Sequence, residues 1–166
     1  MAARPIPTTP RTKHSGAGGA TGGPDWVDSI DIGSLRLTSR FFPDGSGSRS
    51  AIREARAEVR RHLDGVGGAA VDAALATGGS ARALRKLVGW TLGAGELERA
   101  VDLLGGRTAA KISRKHGVEP RRARTLLAGA VILSEVQLRL GVPFEVARGG
   151  LREGLAGELL AELQAA

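Results

Sequence analysis

The sequence predicts an α/β chain dominated by helix. Long stretches carry apolar residues at the three- and four-residue spacing of a helix face. Three short stretches, residues 26–32, 70–76 and 144–147, read as strands, and Gly, Pro, Ser or Thr stands at most junctions between elements. At 166 residues the chain is the size of one domain of roughly 100–200 residues. Hydrophobic residues make up 42%, enough for a core, yet only 3% are aromatic and Tyr is absent. Leu, Val, Ile and Ala must therefore fill the interior, which favours closely packed helices.

Residues 1–24 are rich in Pro, Gly, Thr, Ser and Ala and read as a disordered leader, leaving 25–166 as the domain. Trp26 to Ile32 alternates apolar and polar residues, the period of a half-buried strand. Gly33 opens a short amphipathic segment to Phe42, and Pro43 to Ser50 is a loop. From Ala51 the residues Ile52, Ala55, Val59 and Leu63 fall at helical spacing, with Gly65 as a stop. Ala70 to Ala76 reads as a buried strand ending in Gly78-Gly79, after which Ser80 caps a helix through Val88. Helices follow over Glu96 to Leu104, Ala109 to His116 behind a Thr108 cap, and Pro120 to Leu140. The last of these is apolar on most faces, which implies burial. Phe144 to Ala147 is a short strand, and Leu151, Leu155, Leu159 and Leu163 line a terminal amphipathic helix.

Composition excludes several chemistries. No Cys means no disulfide framework, thiolate zinc site or cysteine nucleophile, and three scattered His residues make no metal cage. No apolar run approaches the roughly 20 residues of a membrane span, and residues 1–25 hold no signal-like stretch, so a cytoplasmic protein is expected. Walker A and dinucleotide fingerprints are absent, and no triad partner is placed near His62 or His116. Asp28 and Asp31, three apart on one strand, face opposite sides. The net charge of +7 favours a polyanionic partner.

The most informative local pattern is Ala76-Thr77-Gly78-Gly79-Ser80, a strand running through two glycines into a helix. Glycines let backbone approach an anion, and a helix start turns free amides toward it, although a plain tight turn with a serine cap has the same sequence. Arg152 and Glu153 follow the second double glycine, Gly149-Gly150, at the start of the last helix. Arg36 lies after the first strand. Each of these three could hold a loop through a charged hydrogen bond or simply be solvated. Arg121, Arg122 and Arg124 form a basic cluster that could grip polyphosphate or nucleic acid. His116, at a helix end, suits a cation.

Taken in order, these stretches resemble the Ppx/GppA family of exopolyphosphatases and guanosine pentaphosphate phosphohydrolases. The carrying residues are Ser29-Ile30-Asp31-Ile32-Gly33-Ser34-Leu35-Arg36-Leu37, then Gly78-Gly79-Ser80, then Gly117 to Ala123, then Leu151-Arg152-Glu153-Gly154. The resemblance implies the helix-rich second lobe of an actin-like ATPase (ribonuclease H-like) fold. It implies phosphate binding by Gly78, Gly79 and Ser80, loop support by Arg36, Arg152 and Glu153, and assistance by Mg²⁺ with no ligand for it evident in this chain. Polyphosphate or guanosine pentaphosphate is the implied ligand, and a homodimer is implied as well. Only the family's second half is matched, so no catalytic residue is assigned and little turnover is expected of this chain alone. The rival reading is a non-catalytic polyanion-binding module built on Arg121, Arg122, Arg124 and the basic leader. A gene product without function is the bland third.

Overall fold

The computed structural model describes residues 29–66 and 71–165. The elements below all belong to the unit Ile32–Ala166. They run α1 (Ser34–Phe41), α2 (Arg49–Leu63), β1 (Ala74–Ala76), α3 (Gly79–Val88), β2 (Thr91–Leu92), α4 (Ala94–Gly105), α5 (Ala109–His116), α6 (Pro120–Leu140), β3 (Phe144–Val146) and α7 (Leu151–Ala165). The expected class, α/β with helix dominant and a small sheet, is what the chain adopts.

Helix α6 is the centre, contacted by α1, α2, α3, α4 and α5. Leu126, Leu127, Ala128, Ala130 and Val131 are fully buried on it, as its apolar sequence requires. The helix is well terminated. The Glu119 carboxylate accepts from the Arg121 and Arg122 amides at 3.0 and 2.9 Å, Pro120 sits in the first turn, and Gly141 closes the end with φ +75°. Those two amide hydrogen bonds lower the pKa of Glu119.

A polar network crosses the core. Arg56 of α2 donates to Glu135 of α6 at 2.8 Å and to both oxygens of Glu98 of α4 at 2.7 and 2.8 Å. Arg60 donates to Glu135 at 2.6 Å, and Ser134 donates to Glu98 at 3.2 Å. Glu135 is only 4% exposed, so its charge is tolerable only because two guanidiniums meet it. The network fixes three helices in one register.

The sheet has the order β1-β3-β2, with β1 parallel and β2 antiparallel to β3. Several sequence expectations change here. Ser29 to Ile32, the described end of the expected first strand, is irregular chain, and Trp26 to Asp28 lie outside the described residues with the leader. Asp31 is therefore not on a strand and has no strand face. Of the strand expected over residues 70–76, Ala74–Ala76 forms, and Leu75 is 71% exposed because it shares the uncovered face of the sheet with its register partner Glu145. Strand β2 was not expected, since two residues show no period. Helix α2 starts at Arg49 because Ser48, within the expected loop, accepts from the Ala51 amide. Thr108 caps α5 as expected, accepting from the Lys111 amide. The terminal helix forms as α7 but not with the expected amphipathic face, since Leu155, Leu159, Leu160 and Leu163 are all exposed.

Replacing Glu135 with Ala is expected to destabilise the fold by about 3 kcal/mol, the low end for breaking a buried pair, because Arg56 keeps Glu98. The urea midpoint of the purified variant measures it.

Candidate functional site

Strand β1 delivers the chain to Gly78, whose φ of +95° and ψ of −179° fall in a region essentially reserved for glycine. Gly78 is the N-cap of α3. The first intrahelical hydrogen bond of the helix is Arg82 amide to Gly78 carbonyl, at 3.2 Å. The amides of Gly79, Ser80 and Ala81 thus precede the ladder, where helices leave their donors open. No side chain caps this end, and no acidic residue stands in its first turn. The partial positive charge of the helix start is left without a local counter-charge.

The serine reading needs correction. Ser80 is not the cap but the second helical residue, and its side chain faces α6: a methyl group at Gly129 would come within 2.7 Å of Ser80 Oγ. The hydroxyl belongs to a close helix–helix contact, so Ser80 brings its amide to the corner.

Arg122 completes the corner. A methyl group at Gly79 would fall 2.5 Å from Arg122 Cζ, which places the guanidinium over the glycine backbone. Sequence reading grouped Arg122 with Arg121 and Arg124 as one basic cluster. The helix separates Arg122 from the other two, since successive residues turn by about 100°, whereas Arg121 and Arg124, three apart, share a face. Arg124 lines a different hollow with Asp44, Thr108 and Ser113, and its backbone abuts Gly45. The cluster is not one patch.

Because β1 and β3 are parallel, both double glycines leave the same edge of the sheet, and the Ala147 amide donates to the Ala76 carbonyl at 3.0 Å. Ligands of α/β sheets gather at such carboxyl ends. Val146 donates to the Trp90 carbonyl at 2.9 Å, which brings Trp90 to that edge. Trp90 is 45% exposed, with Arg85 Cζ 4.0 Å and Arg148 Cζ 5.5 Å from its ring centroid. No sequence pattern marked this trio, because its members meet only across the sheet.

Arg36 lies on the exposed face of α1. Arg152 and Glu153 occupy the first turn of α7, as expected, but their side chains lie outside the described residues. His62 Nδ1 is 2.9 Å from the Glu58 carbonyl in its own helix. His116 departs from expectation: burial first, then the charges of Lys115 and Arg107, lower its pKa, so the site disfavours the cation that a helix end would favour.

A sequence model of the Ppx/GppA phosphatase family matches residues 18–163. The chain belongs to the Ppx/GppA phosphatase family. A crystal structure of an Aquifex aeolicus member of the family is 27% identical, with a TM-score of 0.71 over 80% of this chain and 48% of that one. A second Aquifex aeolicus Ppx-GppA enzyme structure, 24% identical, has a TM-score of 0.67 over 76% of this chain and 47% of that one. An exopolyphosphatase-like protein, 21% identical, has a TM-score of 0.68 and covers 81% and 50% of the two chains. The last two show the fold alone. This chain spans about half the length of each structure. No curated protein matches it.

The divalent metal implied by the resemblance finds no donor set here: among the described residues no three His, Asp or Glu side chains are grouped to hold a cation. Among the described residues, no helix is long and apolar enough to cross a membrane.

Two outcomes follow from this geometry. Gly78→Ala is expected to cost about 1–3 kcal/mol, because no L side chain suits its backbone; chemical denaturation reads the loss. Since His116 takes up protons less readily folded than unfolded, the unfolded chain binds more protons and stability rises with pH across that window. Stability should fall as pH drops below the ordinary imidazole value of about 6.5. Denaturant midpoints between pH 7.5 and about 5 should show a shallower decline in His116→Asn than in the parent.

Proposed function

We propose that this chain is the phosphate-holding part of a Ppx/GppA-type phosphohydrolase and forms the helix-rich second lobe of an actin-like ATPase fold. Its substrate would be the terminal phosphoanhydride of polyphosphate or guanosine pentaphosphate. The carrying observation is the start of α3, where three amides precede the helix ladder behind Gly78 and the Arg122 guanidinium stands over Gly79.

A terminal phosphate at this corner would accept hydrogen bonds from the amides of Gly79, Ser80 and Ala81. Arg122 would supply fixed positive charge from above. These donors are held by secondary structure before the ligand arrives, so they need little reorganisation as charge builds on the transferred group. The role is therefore binding, orientation and electrostatic stabilisation. Arg36, Arg152 and Glu153 fit in this reading as supports of the neighbouring loops. Activation of water requires a carboxylate, which the resemblance assigns to a first lobe that the motifs here do not match. The polyanion-module alternative would draw on Arg121 and Arg124 without Arg122, whose guanidinium stands over Gly79.

The test is a pyrophosphate titration of the purified chain, followed through the amide resonances of residues 79–81. These should shift in the parent, and those of Ser80 and Ala81 should stay put in Gly79→Val. The nearest atoms to such a Cβ all belong to the flexible end of Arg122, so the fold should survive. Arg122→Gln should weaken binding about tenfold, the value of one hydrogen bond to a charged group. Phosphate release from polyphosphate should be slowed at least about 10²-fold by the lack of a general base. Unchanged binding by Gly79→Val, or brisk turnover by this chain, would overturn the assignment.

A further inference from the structure

The hollow beside Arg124 takes no part in the site above. It measures about 530 Å³ and lies where the turn carrying Asp44 meets α5 and the start of α6. Its charged lining is Asp44, Arg114 and Arg124, with the Ser113 hydroxyl beside them and Ala110 and Pro120 supplying apolar surface. That volume and that mixture of a few polar groups on apolar surface fall in the class of small-molecule sites, roughly 300–1,000 Å³.

Backbone geometry holds the acid there. Gly45 has φ +76°, and its amide donates to the carbonyl of fully buried Phe42 at 2.8 Å. A Cβ at Gly45 would lie 3.0 Å from Arg124 Cα and 3.3 Å from Ala109 Cβ, so glycine seats the turn directly against both helices. Asp44, Arg114 and Arg124 thus border one space. None of the three is in an ion pair among the described residues, whereas Arg56, Arg60 and Arg99 all are. Opposite charges share the hollow without meeting, which leaves the gap to a molecule carrying both signs. One carboxylate and two guanidiniums complement one cation and two anions.

We propose that this hollow binds a free acidic α-amino acid, its ammonium against Asp44 and its two carboxylates against Arg114 and Arg124. The hollow shares no lining residue with the α3 corner, so it goes beyond the phosphohydrolase reading and does not depend on it. A ligand with negative charge only fits less well, because Asp44 repels it. Arg114 also borders a neighbouring hollow with Arg107, Lys111 and Lys115, whose lining holds no carboxylate to recognise an ammonium.

Titration of the whole chain with L-glutamate at low ionic strength decides it, followed through the amide resonances of Ala110 and Ser113. Both should shift along one saturable curve. N-acetyl-L-glutamate, which lacks the cation, and L-glutamine, which lacks one anion, should each bind about fivefold more weakly, the upper value of one exposed charge pair. Asp44→Asn should abolish the preference for glutamate over its N-acetyl form, and Arg124→Gln should reduce the preference over glutamine. Neither side chain is in an ion pair of the fold, so both variants should keep the parent's denaturation midpoint. Lys111→Gln, in the neighbouring hollow, should change Kd by less than about twofold. Absence of saturation would overturn the proposal. So would N-acetyl-L-glutamate binding as tightly as glutamate, a glutamate preference that survives Asp44→Asn, or equal weakening by Lys111→Gln. Failure of the pyrophosphate titration at residues 79–81 would sink only the earlier assignment.

Discussion

Among the described residues, five helices are arranged around one that is buried on nearly all sides. Helix α6 is contacted by five others, so each neighbour's position is read off its surface. Small residues decide how close they come. Gly129 admits Ser80 against the α6 backbone, and this contact sets the height of α3 relative to α6. The same approach carries Arg122, one turn into α6, over the glycine backbone that starts α3. Packing of the core and construction of the corner are one event.

Charge placement divides the surface into two kinds. Where Arg meets Glu, as in the network of Arg56, Arg60, Glu98 and Glu135, the ions fix helix register and balance each other's desolvation. At the α3 corner, positive charge stands without such a partner. In a protein of net charge +7 some surplus is unavoidable. Its placement at an open helix start is what gives that corner a bias for oxyanions.

Much of the helical framework was legible in the chain. Thr108, Gly117, Pro120 and Gly141 mark helix ends by local backbone chemistry, and the apolar faces of α6 announce its burial, because both signals act within a few residues. Gly78-Gly79 likewise points to an open turn. The strands were poorly legible. Strands of two or three residues exist only through pairing with β3, and the alternation from Trp26 to Ile32 matches a period that its described end does not use. The serine was misread because a hydroxyl beside a helix start looks the same whether it caps or packs.

By itself, then, the sequence determined where helices begin and end, which of them is buried, and which glycines can bring backbone up to an anion. These follow from φ preferences, hydrogen-bonding groups and periodicity, all short-range properties. Only the tertiary structure decided which arginine stands over Gly79, that Arg124 lines a separate hollow, and that Arg107 converges with three residues of α5. Such meetings depend on helix azimuth and spacing, which the packed core sets and no local stretch of chain encodes.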